Sequence, residues 1–135
     1  MTDHLETRLQ IKSWDEQPYR ELADGRKFSR AEVALSASGA AIEAEAAFES
    51  LLYYRSDGTS DFTSLLLLDG RLGDRSGSVV LRATGTYDGT RARVDFVVVP
   101  ASGTGELAGI TGSGLSVSTH SDYPFMPLTL DYELR

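Results

Sequence analysis

The sequence predicts an all-β domain, a single closed antiparallel barrel of about eight strands, and three observations predict it. Short apolar runs rich in β-branched and aromatic residues recur between glycine and aspartate punctuation. No segment keeps the 3.6-residue apolar spacing of a long amphipathic helix. With 135 residues, 41% of them hydrophobic and 24% charged, the chain can bury one core and not two, so residues 1–135 are expected to form one domain.

The first expected strand runs from Leu5 to Trp14, with Leu5, Thr7, Leu9, Ile11 and Ser13 on one face. The other face is polar until Trp14. Residues Asp15 to Lys27 contain Pro18, Asp24 and Gly25 and hold no period, which predicts a long loop. From Arg30 to Phe48, Val33-Leu35-Ala37 and Ile42-Ala44-Ala46-Phe48 alternate with polar neighbours around Gly39, the pattern of a hairpin despite the many alanines.

Phe62 to Leu68 is apolar on both faces, so its outward side calls for a cover, and a subunit contact would supply one. Ser78 to Tyr87 and Arg91 to Val99 follow as strands joined at Asp88-Gly89, the second with Val94, Phe96 and Val98 inward. Ala101 to Gly114 carries glycines at 103, 105, 109, 112 and 114, a structured turn in which positive φ or close backbone approach is needed. Leu128 to Leu134 alternates strictly, with Leu128, Leu130, Tyr132 and Leu134 on the core face.

Composition narrows the function classes. A net charge of −7 repels polyphosphate and anionic lipid, so neither nucleic acid nor a membrane is an expected partner. The absence of cysteine removes thiolate chemistry and fits a reducing compartment, and with no apolar stretch of signal-peptide type a cytoplasmic location is expected. His4 and His120 are the only imidazoles and form no ligand cluster, which predicts solvated histidines and no metal. The glycine-rich run lacks a Walker lysine and leads into a strand-like segment, so it is not read as a phosphate loop. No cofactor is expected.

The strongest candidate chemistry lies at Ser13-Trp14-Asp15-Glu16-Gln17-Pro18-Tyr19, where two carboxylates and an aromatic fall at a strand end, the rim through which small barrels admit ligands. Asp15 and Glu16 are the candidate catalytic carboxylates, as base or as a proton donor if desolvated. Trp14, Phe48, Tyr54, Phe62, Phe96 and Tyr132 are the candidate ligand-binding residues, because aromatic area and phenolic donors suit a cavity lining.

Ser13-Trp14-Asp15-Glu16-x-Pro18-Tyr19, Arg30, Gly77-Ser78, Thr84-Gly85-Thr86-Tyr87 and Pro100-x-Ser102-Gly103-Thr104-Gly105-Glu106-Leu107-x-Gly109 together resemble a small bacterial family of uncharacterised domains with the allene oxide cyclase-like barrel. More distantly, the glycine motif and the Tyr123-Pro124-Phe125 entry to the last strand are similar to plant allene oxide cyclases. That resemblance implies a cavity that cyclises its substrate by fixing its shape, aided by a glutamate and an asparagine-held water near the end of the first strand. Here those places hold Ser13 and Asp15, with Glu16 beside them, and the chain has no asparagine, so allene oxide cyclisation itself is not implied. The bacterial family often carries a histidine where this chain has Ala83.

The expected activity is a cofactor-independent cyclase or isomerase acting on an apolar small molecule, such as a polyene, polyketide or fatty-acid derivative of natural-product chemistry. A non-catalytic carrier of a hydrophobic ligand and a fully packed structural or interaction module are the alternatives. A homodimer through the Leu65–Leu68 run is expected as well.

Overall fold

The computed structural model describes residues 2–134. Eight strands follow in chain order: β1 (Asp3–Glu21), β2 (Lys27–Ser38), β3 (Ile42–Tyr54), β4 (Ser60–Leu72), β5 (Arg75–Tyr87), β6 (Arg91–Val98), β7 (Thr111–Thr119) and β8 (Phe125–Glu133). Each pairs antiparallel with the next and β8 returns to β1 along Asp3–Gln10, so the sheet closes into a barrel, while the outer half of β1 pairs with β2 alone. Among the described residues no helix is long and apolar enough to cross a membrane.

The alternating runs form strands because each buries its apolar side in the barrel. Ala31, Val33, Leu35 and Ala37 of β2 are buried, as are Leu66 and Leu68 of β4, Val94, Phe96 and Val98 of β6, and Leu128, Leu130 and Tyr132 of β8. Glu32, Glu43, Glu45 and Glu49 face outward and are exposed. The Gly39 hairpin between β2 and β3 forms as expected, Gly39 N–H donating to the Ile42 carbonyl at 3.0 Å.

Two expectations for the first third of the chain are overturned. Residues Asp15 to Lys27 are not a long loop: they are the outer half of β1, a tight turn at Ala23–Gly25 and the start of β2. Pro18 is tolerated because the ladder is interrupted by a bulge between Pro18 and Arg20, where a missing N–H costs little. A second bulge, between Ile11 and Ser13, reverses which residues face in. Leu5, Leu9 and Ile11 point to the core before it, whereas after it Trp14 pairs with buried Val33 and Glu16 with buried Ala31. Ser13 therefore leaves the face it was expected to share with Leu5.

The glycine-rich segment after β6 stoppers one end of the barrel. Leu107 and Ile110 turn inward and are buried, and the backbone is tied to β5 through Thr104, whose Oγ1 accepts from Ser78 N–H at 3.0 Å. Glu106 Oε1 accepts from Ser76 N–H at 3.0 Å, and Ser102 Oγ donates to the Val80 carbonyl at 3.1 Å. A Cβ at Gly103 would overlap the Leu107 carbonyl, so only glycine lets the turn fold this tightly over the barrel end. With that end plugged, any cavity must open at the other.

Candidate functional site at the barrel mouth

Opposite the plug, the barrel holds a cavity of about 370 Å³. It exists because the inward residues at this end are mismatched in size. β6 and β7 offer small ones, Ala92, Ser116 and Ser118, while Trp14, Val33, Leu35 and Phe48 stand across from them. Below, Phe48 meets Phe96 edge-on at 6.2 Å between ring centroids, and leucines fill the rest. Phe62 crosses the wall flat over Gly85, where a Cβ would collide with its ring, so Gly85 is what admits Phe62. The lining is mostly apolar and includes no Asp, Glu, Lys or Arg among the described residues.

Of the residues expected to bind ligand, Trp14, Phe48, Tyr54 and Phe62 line this cavity. Phe96 does not: it is 1% exposed and lies one layer deeper, where it is core. Tyr132 does not either, because it pairs with Asp3 and Gly112 at the plugged end of the barrel. Both share the interior face with the true lining, and only the depth along the barrel axis separates them.

The two candidate carboxylates part company at the bulge. Asp15 is on the outer face, exposed, and its Oδ1 accepts from Gln17 Nε2 at 3.1 Å. Glu16 is on the inner face but stands behind the lining. Its Oε1 accepts from Trp14 Nε1 at 3.1 Å and its Oε2 from the Tyr54 hydroxyl at 2.6 Å. Burial, and then this bond to Glu16, raise Tyr54 far above the usual tyrosine range, so its hydroxyl stays protonated and donates. Glu16 thus fixes two cavity walls at once, and Lys27 Nζ lies 5.0 Å from the Tyr54 ring centroid at the lip.

A second polar pair faces the mouth. The Tyr87 hydroxyl lies 2.9 Å from His120 Nε2 and 3.1 Å from the Gly89 carbonyl oxygen. The rings meet edge-on at 6.0 Å. His120 is held in a one-turn helix, His120–Asp122, capped by Thr119, whose N–H donates to Asp122 at 2.8 Å. His120 is exposed in this turn, as expected of a solvated histidine, but its pairing with Tyr87 was not foreseen, because Tyr87 is 33 residues away and only the β6 crossing brings them together. The alternation Gly114-x-Ser116-x-Ser118 was the available signal: small residues at period two mark the wall that yields space. Ser116 Oγ is buried there with no hydrogen-bond partner, while the deeper Ser50 and Ser64 satisfy each other at 2.6 Å.

A broader concavity of about 800 Å³ lies on the outer face beside Tyr19, Phe28 and Tyr53. It is more open to solvent and has a more polar lining than the mouth, so it encloses an apolar small molecule less.

The fold and the site define a class: a small closed β-barrel, plugged at one end and hollow at the other, with two hydrogen-bonded polar pairs around an apolar mouth. The family model described as a protein of unknown function (DUF3224) matches residues 6–132, and the chain belongs to that family. A crystal structure of a DUF3224 protein of unknown function from Shewanella oneidensis MR-1 has the same fold, with a TM-score of 0.76 and 22% identity over 100% of this chain and 99% of that one. Among curated proteins none matches.

Proposed function

We propose that the barrel mouth binds an apolar small molecule and acts on it as a cofactor-independent cyclase or isomerase. The observation that carries this reading is the half-enclosed, mostly apolar cavity whose lining holds hydroxyl and imidazole groups but no charged side chain among the described residues. Apolar walls hold a flexible polyene, polyketide or fatty-acid derivative in a compact shape, which removes much of the entropic barrier to ring closure. The resemblance of the glycine-rich closing turn to allene oxide cyclase-like barrels supports the same assignment, and the substrates in this reading are natural-product intermediates of the cytoplasm. Glu16 acts in this scheme as a positioning residue, through Tyr54 and Trp14.

Native mass spectrometry of protein isolated from its producing cell tests the binding. A co-purifying apolar molecule that is converted on incubation supports the enzyme. The absence of a carboxylate from the cavity lining favours a second reading, a carrier, and a ligand recovered unaltered would select it. A cavity that takes up no apolar compound would reject both.

We also propose that the outer face of β4 is covered by a second copy of this chain. Leu65 and Leu67 are 54% and 41% exposed there, and Val97, two strands away across Arg82, is 48% exposed. Leu65 lies in register between Glu49 on β3 and Arg82 on β5, neither of which has an ion-pair partner among the described residues. A two-fold axis along β4 sets each Glu49 opposite the other copy's Arg82 and stacks the leucines between them. Sedimentation should show a dimer that Leu65→Lys converts to a monomer, and a monomeric wild type would refute it.

A further inference from the structure

We infer that His120 is the proton acceptor of the cavity, with Nδ1 as the basic atom and Tyr87 as the residue that fixes it so. This rests on the reading that the mouth holds an apolar ligand. The Tyr87 hydroxyl has one proton and two neighbours, the Gly89 carbonyl at 3.1 Å and His120 Nε2 at 2.9 Å. A carbonyl oxygen can only accept. Both contacts are satisfied together in one arrangement alone: Tyr87 O–H donates to Gly89, and His120 Nε2–H donates to the Tyr87 oxygen. The neutral imidazole is then the Nε2–H tautomer, and its lone pair sits on Nδ1, which has no hydrogen-bond partner among the described residues.

Position agrees with that role. His120 and Tyr87 both line the cavity, and no carboxylate competes there for a proton. The capped turn from Thr119 to Asp122 holds the imidazole at the mouth without contacting Nδ1. Imidazole is the commonest general base in proteins, and a base fixed in one tautomer at the edge of an apolar cavity suits proton shifts in a carbonyl-bearing ligand. In a β,γ-unsaturated carbonyl ligand Nδ1 takes a proton from the α-carbon, the C–H electron pair moves into a dienolate, and the imidazolium returns the proton at the γ-carbon as the double bond shifts to the α,β position. Nothing is oxidised or reduced, and no co-reactant is consumed.

His4, the only other histidine, is an internal control of opposite sense. Its Nδ1 lies 2.6 Å from the Asp131 carboxylate, while its Nε2 is 3.6 Å from Glu6 Oε2, beyond hydrogen-bond distance, so the Asp131 contact makes neutral His4 the Nδ1–H tautomer; it stands away from the mouth on the outer face of β1. Long-range nitrogen–proton correlation spectra of the whole protein at alkaline pH should therefore show one imidazole of each tautomer. Tyr87→Phe should return His120 to a mixture while His4 is unchanged. Alkylation then reads the cavity: 1-bromo-2-decanone should label His120 at Nδ1 about tenfold faster than bromoacetone does, by holding the reacting carbon near the base. His4 should show no such preference. A His120 found as the Nδ1–H tautomer, or unaffected by Tyr87→Phe, overturns the proposal while leaving the cavity reading intact. The expected tautomer with no preference for the bromodecanone shows instead that the mouth does not hold apolar ligands, and the base role falls with it.

Discussion

Glu16 is the residue whose removal reports most directly on how the mouth is built. Two donors converge on its carboxylate, the half-buried Tyr54 hydroxyl at 2.6 Å and the exposed Trp14 indole at 3.1 Å. A hydrogen bond to a charged acceptor contributes about 1.5–3 kcal/mol against about 0.5–1.5 for a neutral one, and solvent screens most of the difference at Trp14. Glu16→Gln keeps the shape and loses the charge, so it should cost about 1 kcal/mol, nearly all of it at Tyr54. Glu16→Ala also strands the Tyr54 hydroxyl and should cost about 2 kcal/mol. For a chain of this length each kcal/mol lowers Tm by roughly 3–5 °C. Urea unfolding followed by Trp14 emission is the assay, because Trp14 is the only tryptophan and its indole contacts Glu16. The native emission should shift in both variants, and the phenol of Tyr54 should titrate at lower pH once the carboxylate beside it is gone. Wild-type stability and emission in Glu16→Ala would refute the view that this carboxylate holds the mouth in shape.

Three further outcomes follow from the same geometry. Asp15→Asn should leave stability, emission and ligand uptake at wild-type values, since Asp15 is exposed on the outer face; a loss of uptake measured by Trp14 quenching would contradict the reversal at the bulge. Phe96→Ala should cost roughly 3–5 kcal/mol in chemical denaturation, the range for a buried aromatic, because Phe96 is core and not lining, and a cost under about 1 kcal/mol would show that the mouth extends down to it. His4 should titrate above its ordinary value, raised chiefly by its hydrogen bond to Asp131 and then by the charges of Asp131 and Glu6. The stability this contributes is complete below the unfolded value, about 6.5, and disappears as pH rises through the higher folded one. Asp131→Asn should bring the His4 midpoint down by NMR, and an unchanged midpoint would refute the assignment.

Most of the barrel was legible because its signals are local. Period-two alternation in Val33-Leu35-Ala37, Val94-Phe96-Val98 and Leu128-Leu130-Tyr132 is what a strand with one buried face requires, and those residues are buried. The site was legible only in part. Trp14, Phe48, Tyr54 and Phe62 could be chosen as aromatics on the right face, but Phe96 and Tyr132 share that face and lie at other depths. Depth along a barrel depends on how far each strand is staggered against its neighbours, a quantity no single strand carries.

From the sequence alone come the fold class, the single core and the glycine-rich closing turn, because composition, alternation and glycine placement act through neighbouring residues. Only the tertiary structure decides the polarity of the rim. One bulge, at Lys12, inserts a residue between Ile11 and Ser13 and sends Asp15 out and Glu16 in, since a shift of one residue exchanges the faces of everything beyond it. Closure of β5 and β6 against β7 likewise brings Tyr87 to His120, and with it the tautomer on which the proposed chemistry turns.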